Sequence, residues 1–121
     1  MPTEQEIRDV AKRAAEVLRQ RGWHQGDYFD TDEADHDEDG IHYTGGPVCM
    51  LGALNVAARP REHNPARDMP EDLYEVINPR LLTLIGAEYA DVPDYNDRAA
   101  RTADEVIAVL ERVAAGEGAT P

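Results

Sequence analysis

The chain has 121 residues and a formal net charge of −13, with 25 acidic side chains against 12 basic ones. That balance disfavours direct nucleic-acid binding, which rests on Lys and Arg neutralising phosphates, and it disfavours anionic membrane surfaces for the same reason. A lone cysteine, Cys49, excludes an intrachain disulfide, and no apolar run nears the ~20 residues that a bilayer span needs.

In chain order, Thr3 followed by Glu6 reads as a capping box. Ile7, Val10, Ala11, Ala14, Val17 and Leu18 then recur at helical spacing, and Gly22 supplies a stop, which predicts a helix over about residues 4–21. Trp23 follows that stop as an anchor that folds the chain back onto the first helix. Between Asp27 and Asp39 lie eight acids and no Lys or Arg. Tyr28-Phe29 and Ile41-His42-Tyr43 flank this stretch and could pair as a short hairpin.

Val48 to Ala58 is apolar almost all round, the mark of a helix buried on most sides. Gly52, Ala53 and Ala57 are small enough there for close helix approach. Residues 59–68 read as a surface loop. Asp68 with Pro70 opens another helix, which Asn78-Pro79 is expected to interrupt, with a second piece through Leu81, Leu82, Leu84 and Ile85. Asp91 to Asp97 (DVPDYND) reads as a turn-rich connector. Thr102 and Glu105 form a second capping box, and Val106, Ile107, Leu110, Val113 and Ala114 stripe a final helix ended by Gly116.

These elements predict a mainly α fold of about four to five helices, with a β-hairpin around residues 27–43 as an option. They are expected to form a single globular domain over residues 1–121, with an acidic loop at about 27–40 and a frayed tail from 117. The polar, acidic N-terminus lacks the apolar core of a signal peptide, so a cytoplasmic location is expected.

Three groups of residues resemble a family of small bacterial and phage proteins known only as a domain of unknown function. They are Gly22-Trp23, then Cys49-Met50-Leu51-Gly52-Ala53-Leu54, then Tyr95-Asn96-Asp97 leading through Arg101-Thr102 into Glu105-Val106. The resemblance spans most of the chain and implies no activity. It directs attention to wherever Trp23, Cys49, Tyr95, Asn96 and Asp97 could meet in one binding pocket. The acidic insertion departs from the family pattern, so a role for it would be particular to this protein.

Three sites are candidates. Asp35, Asp37 and Asp39, before Gly40, match the D-x-D-x-D-G opening of a calcium loop. The twelfth position is Gly46 where a bidentate Glu belongs, so the segment reads first as a solvated acidic loop and second as a weak Ca2+ site. No other cofactor is implied. His24, His36 and His42 could be recruited for zinc or nickel, without tight ligand spacing.

Cys49, near a helix start, could be a thiolate nucleophile activated by the helix dipole. His42, His24 or His63 would serve as base, oriented by Asn96 or Asp97. A cysteine among Val48, Met50 and Leu51 reads more simply as a small core residue. Asn96-Asp97 is either a turn former or part of the shared pocket.

The leading functional expectation is an acidic, non-enzymatic binding or accessory protein, phage or mobile-element associated, that meets a protein partner with a basic surface. The alternatives are a cysteine-dependent enzyme built on Cys49 and a weak cation-binding module. The apolar surface of residues 48–58 and 79–86 fits a monomer core or a dimer interface equally well.

Overall fold

The computed structural model describes residues 2–26, 35–37, 40–42, 46–62 and 64–119. Helix α1 runs Glu4–Arg21, as the periodicity requires. Thr3 Oγ1 accepts the Glu6 N–H at 3.1 Å, and acids in the first turn with Arg19 and Arg21 in the last complement the helix dipole. Ile7, Val10, Ala11, Ala14, Ala15 and Leu18 are its buried face. Gly22 ends it at φ +92°, donating its N–H to the Leu18 carbonyl at 2.9 Å.

Beyond Gly22 the backbone extends. Trp23 forms an isolated parallel bridge with Val48: the Val48 N–H donates to the Gly22 carbonyl at 3.1 Å, and the His24 N–H to the Val48 carbonyl at 2.9 Å. The segments that flank residues 27–45 are therefore joined at one point. Between the two lies an antiparallel hairpin of β1 (Asp35–Asp37) and β2 (Gly40–His42), with His36 opposite Ile41. The Ile41-His42 strand thus pairs with the nearest upstream segment, Asp35–Asp37. Tyr28, Phe29 and Tyr43 lie outside the described residues.

Helix α2 spans Met50–Ala58. It starts two residues after the apolar run does, because Val48 is committed to the bridge and Cys49 caps the helix. Seven of its residues, Met50, Gly52, Ala53, Leu54, Asn55, Val56 and Ala57, are buried, so it is enclosed on most sides. It packs on α1, where both helices contribute fully buried alanines. Arg13 of α1 donates from Nε to the Ala57 carbonyl at 3.1 Å, satisfying an orphan acceptor at the α2 C-terminus.

The loop that follows is held from below by Asn55, which is 3% exposed. Its amide donates to the Pro65 carbonyl at 2.8 Å, and its oxygen accepts the Met69 N–H at 2.9 Å. A buried amide used in this way fixes a loop that has no ladder of its own.

Helix α3 runs unbroken over Glu71–Ile85, with Pro79 inside it. This corrects the expected interruption at Asn78-Pro79. Leu73, Ile77, Leu81 and Ile85 recur every four residues straight through the proline and are all buried. Glu75 and Pro79 are exposed, so the carbonyl that Pro79 cannot satisfy meets solvent, and apolar packing outweighs the broken bond. DVPDYND holds a short helix, α4 (Val92–Asn96), where a connector was expected. Asp91 Oδ1 accepts the Asp94 N–H at 2.8 Å, and Pro93 sits in the first turn.

Helix α5 (Ala103–Ala114) carries a reciprocal capping box between Thr102 and Glu105 and packs chiefly on α1. Buried side chains of all five helices join one hydrophobic cluster. The segment expected to fray is instead packed at its start. The Glu117 carboxylate takes Arg112, and at Gly118 (φ +81°) an added Cβ would lie 2.8 Å from the Arg80 carbonyl oxygen.

One long-range ion pair ties α1 to α3. Arg80 is 8% exposed and its guanidinium binds both oxygens of Glu4, at 3.1 and 2.5 Å. The bond from Arg80, with help from Arg8, holds the Glu4 carboxyl down to about 2 from its ordinary 4.5. A depressed carboxylate stabilises the fold above its unfolded pKa, and that contribution fades as pH falls from 4.5 toward about 2. Glu4→Gln should therefore melt below the parent at pH 6, with the gap closing as pH approaches 2. A gap independent of pH would mean that the pair contributes through shape alone.

Candidate functional site

The sequence places an asparagine at the end of a five-residue helix, where its amide cannot be absorbed by regular structure. The fold closes around it. Asn96 is 1% exposed and uses all four of its hydrogen-bonding positions. Its Oδ1 accepts the Trp23 indole N–H at 2.7 Å and the Met50 backbone N–H at 3.0 Å. Its Nδ2 donates to the His24 carbonyl at 3.0 Å and to Asp97 Oδ1 at 2.9 Å. One amide thus joins the extended segment after α1, the start of α2 and the end of α4.

Neighbouring residues reinforce the junction. The Gly26 N–H donates to Asp97 Oδ1 at 2.9 Å, and Gln25 Nε2 donates to the carbonyls of Asn96 and Arg98 at 3.1 and 2.8 Å. Trp23 does anchor the chain, with its ring against the hydrophobic cluster and its N–H on Asn96.

Cys49 sits beside this junction as the cap of α2, its Sγ accepting the Gly52 N–H at 3.2 Å. Burial pushes the thiol up from its ordinary value and the Asp97 carboxylate adds to the effect, while the Gly52 and Leu51 N–H groups pull the other way. The net direction is upward. This reverses the dipole activation that a helix N-terminus suggests, because desolvation of a thiolate outweighs two backbone donors.

Tyr95 belongs to a different environment. Its ring meets Tyr89 edge-on at 5.1 Å and lies under the Arg101 guanidinium, 3.7 Å from the ring centroid. Burial pushes its phenol up. Arg101 also donates to the Tyr95 carbonyl, the Tyr89 hydroxyl and Glu105, at 3.1, 2.6 and 2.7 Å.

The junction forms the wall of a cleft of about 160 Å³, lined among others by Gly26, Cys49, Leu51, Pro93, Asn96 and Asp97. A second cleft of about 300 Å³ is lined by Leu51 as well, with Asn55, Asp68, Met69, Glu71 and Tyr74. The structure therefore brings Trp23, Cys49, Asn96 and Asp97 together, with Tyr95 adjoining them from behind. His42 falls in β2, Asp35 and Asp37 fall in β1, and Asp39 and His63 lie outside the described residues. Among the described residues no three His, Cys, Asp or Glu side chains are grouped to hold a metal ion.

Leu51, Asn55 and the Asp68–Tyr74 segment were not expected as a cleft. Their only sequence mark is a polar Asn55 inside an otherwise apolar helix, which in a buried element calls for a specific partner.

Fold and site together define a small helical protein whose irregular segments are pinned by buried asparagines next to paired surface clefts. The chain belongs to the family of unknown function DUF6197, whose model matches residues 2–116. No curated protein and no solved structure matches it. Among the described residues no helix is long and apolar enough to cross a membrane.

Proposed function

We propose that this chain is a cytoplasmic, non-enzymatic binding protein that works through contact with a basic protein partner. The observation that carries the reading is the state of its most reactive-looking group. Cys49 is a largely buried helix cap, its Sγ taking the Gly52 N–H and its thiol pushed up by burial, and the amide beside it has every hydrogen-bonding position committed. Such an arrangement is suited to holding a shape rather than turning over a substrate. The charge of −13 then selects the partner, since complementary potential steers and orients encounter.

The test is capture of proteins on the immobilised chain and on its Cys49→Ser variant, at roughly 0.1 M and roughly 1 M salt. Over that range the screening length falls from ~10 to ~3 Å. Both chains should retain the same basic proteins at low salt and release them at high salt. Capture that needs Cys49, or that is indifferent to salt, would overturn the proposal.

A further inference from the structure

We infer that the surface around Leu51 of α2 is a docking groove for a basic segment of the partner, one that carries an apolar residue between two cationic ones. The inference rests on the reading above and assigns it a surface. Leu51 is half-buried and lines both clefts, so the two adjoin at one apolar side chain and together make the lobes of the proposed groove. Each lobe has carboxylates, Asp97 in the smaller and Asp68 with Glu71 in the larger, and among the described residues no Lys or Arg lines either one.

The chemistry of the lobes selects the occupant. The smaller, at about 160 Å³, is below the ~300–1,000 Å³ typical of small-molecule and cofactor sites, and suits one side chain. Its carboxylate would repel a nucleotide phosphate. A Lys or Arg fits both lobes, because its stem can lie on apolar surface while its head reaches a carboxylate. Tyr74, 42% exposed on the turn of α3 that follows Glu71, offers a ring face to a cation in the larger lobe. An apolar residue between the two cations would rest on Leu51. Asp97 is suited to its part because Oδ1 is fixed by Gly26 and Asn96, which orients the carboxylate before any ligand arrives.

The probe is the peptide acetyl-Arg-Gly-Leu-Gly-Arg-amide, titrated at low salt into the whole 15N-labelled chain. The expected shifts centre on the amides of Leu51, Asn55, Tyr74 and Asp97. Changing both arginines of the peptide to glutamine should weaken binding at least about tenfold. The double variant Asp68→Lys with Glu71→Lys should weaken it comparably while the rest of the spectrum stays in place, since both side chains are exposed. Binding that shifts a different surface would overturn the groove and leave the basic-partner reading standing. No binding at millimolar peptide would overturn both. Groove amides that shift on diluting the protein alone would name a second copy as the occupant and overturn the inference.

Discussion

Asn96→Ala is expected to cost about 4 kcal/mol of folding free energy. The truncation leaves the Trp23 indole N–H, the Met50 N–H and the His24 carbonyl without the partner they share, and each buried unsatisfied group costs roughly 1–3 kcal/mol. Against a total of roughly 5–15 kcal/mol for a small domain, that loss is large and should lower the melting temperature by roughly 15 °C. Urea denaturation followed by Trp fluorescence reads it directly. Asn96→Asp keeps the acceptor oxygen but loses both amide donors and sets a second carboxylate beside Asp97, so at neutral pH it should cost nearly as much. Acidification should recover part of that loss, because a protonated carboxyl donates again. A cost below about 1 kcal/mol for the alanine variant would show that water replaces the amide and that the junction is not held by it.

Arg101→Lys should cost about 2 kcal/mol although it preserves the charge. The guanidinium carbon sits 3.7 Å from the centre of the Tyr95 ring while three different nitrogens bond the Tyr95 carbonyl, the Tyr89 hydroxyl and Glu105. An ammonium has neither the plane nor the fork to do both. The side chain is only 10% exposed and Tyr95 is buried, so the loss falls on the Tyr95 and Tyr89 contacts, while Glu105, 46% exposed, can turn to water. Arg98→Lys is the control: Arg98 also approaches Tyr89, but its side chain is 52% exposed and pairs with Asp94 at the surface. Such pairs contribute roughly 0–1 kcal/mol, so this change should be close to neutral. Equal costs at the two positions would mean that charge, not planar packing, is what Arg101 supplies.

Helices α1 and α5 were legible because their information is local: a Thr cap, an acid three residues on, and an apolar stripe that ends at glycine. The prediction of an interrupted α3 failed where a local preference met a longer-range pattern. Asn78-Pro79 argues for a break, yet Leu73, Ile77, Leu81 and Ile85 form a stripe that a break would destroy, and core packing decides. Helix α4 had its mark in Asp91 and Pro93, a cap and a first-turn proline inside what reads as a run of turn formers. The meeting of Trp23, Cys49, Asn96 and Asp97 could be suspected only from the family resemblance, because the contacts span some seventy positions and leave no periodic trace. The Glu4–Arg80 pair, 76 positions apart, was illegible for the same reason. Cys49 was misleading in one respect: its place at a helix start is visible in sequence, while the burial that reverses its chemistry is not.

The parallel bridge of Trp23 with Val48, locked by Asn96 and by Gln25, makes the intervening stretch a detour that starts and finishes at a single clamp. Its length is then nearly free to change, since doubling a loop costs only about 0.6 kcal/mol in closure entropy. In the laboratory the same clamp marks where a change of loop length can be tried: both flanking ends, Trp23 and Val48, are held by the bridge.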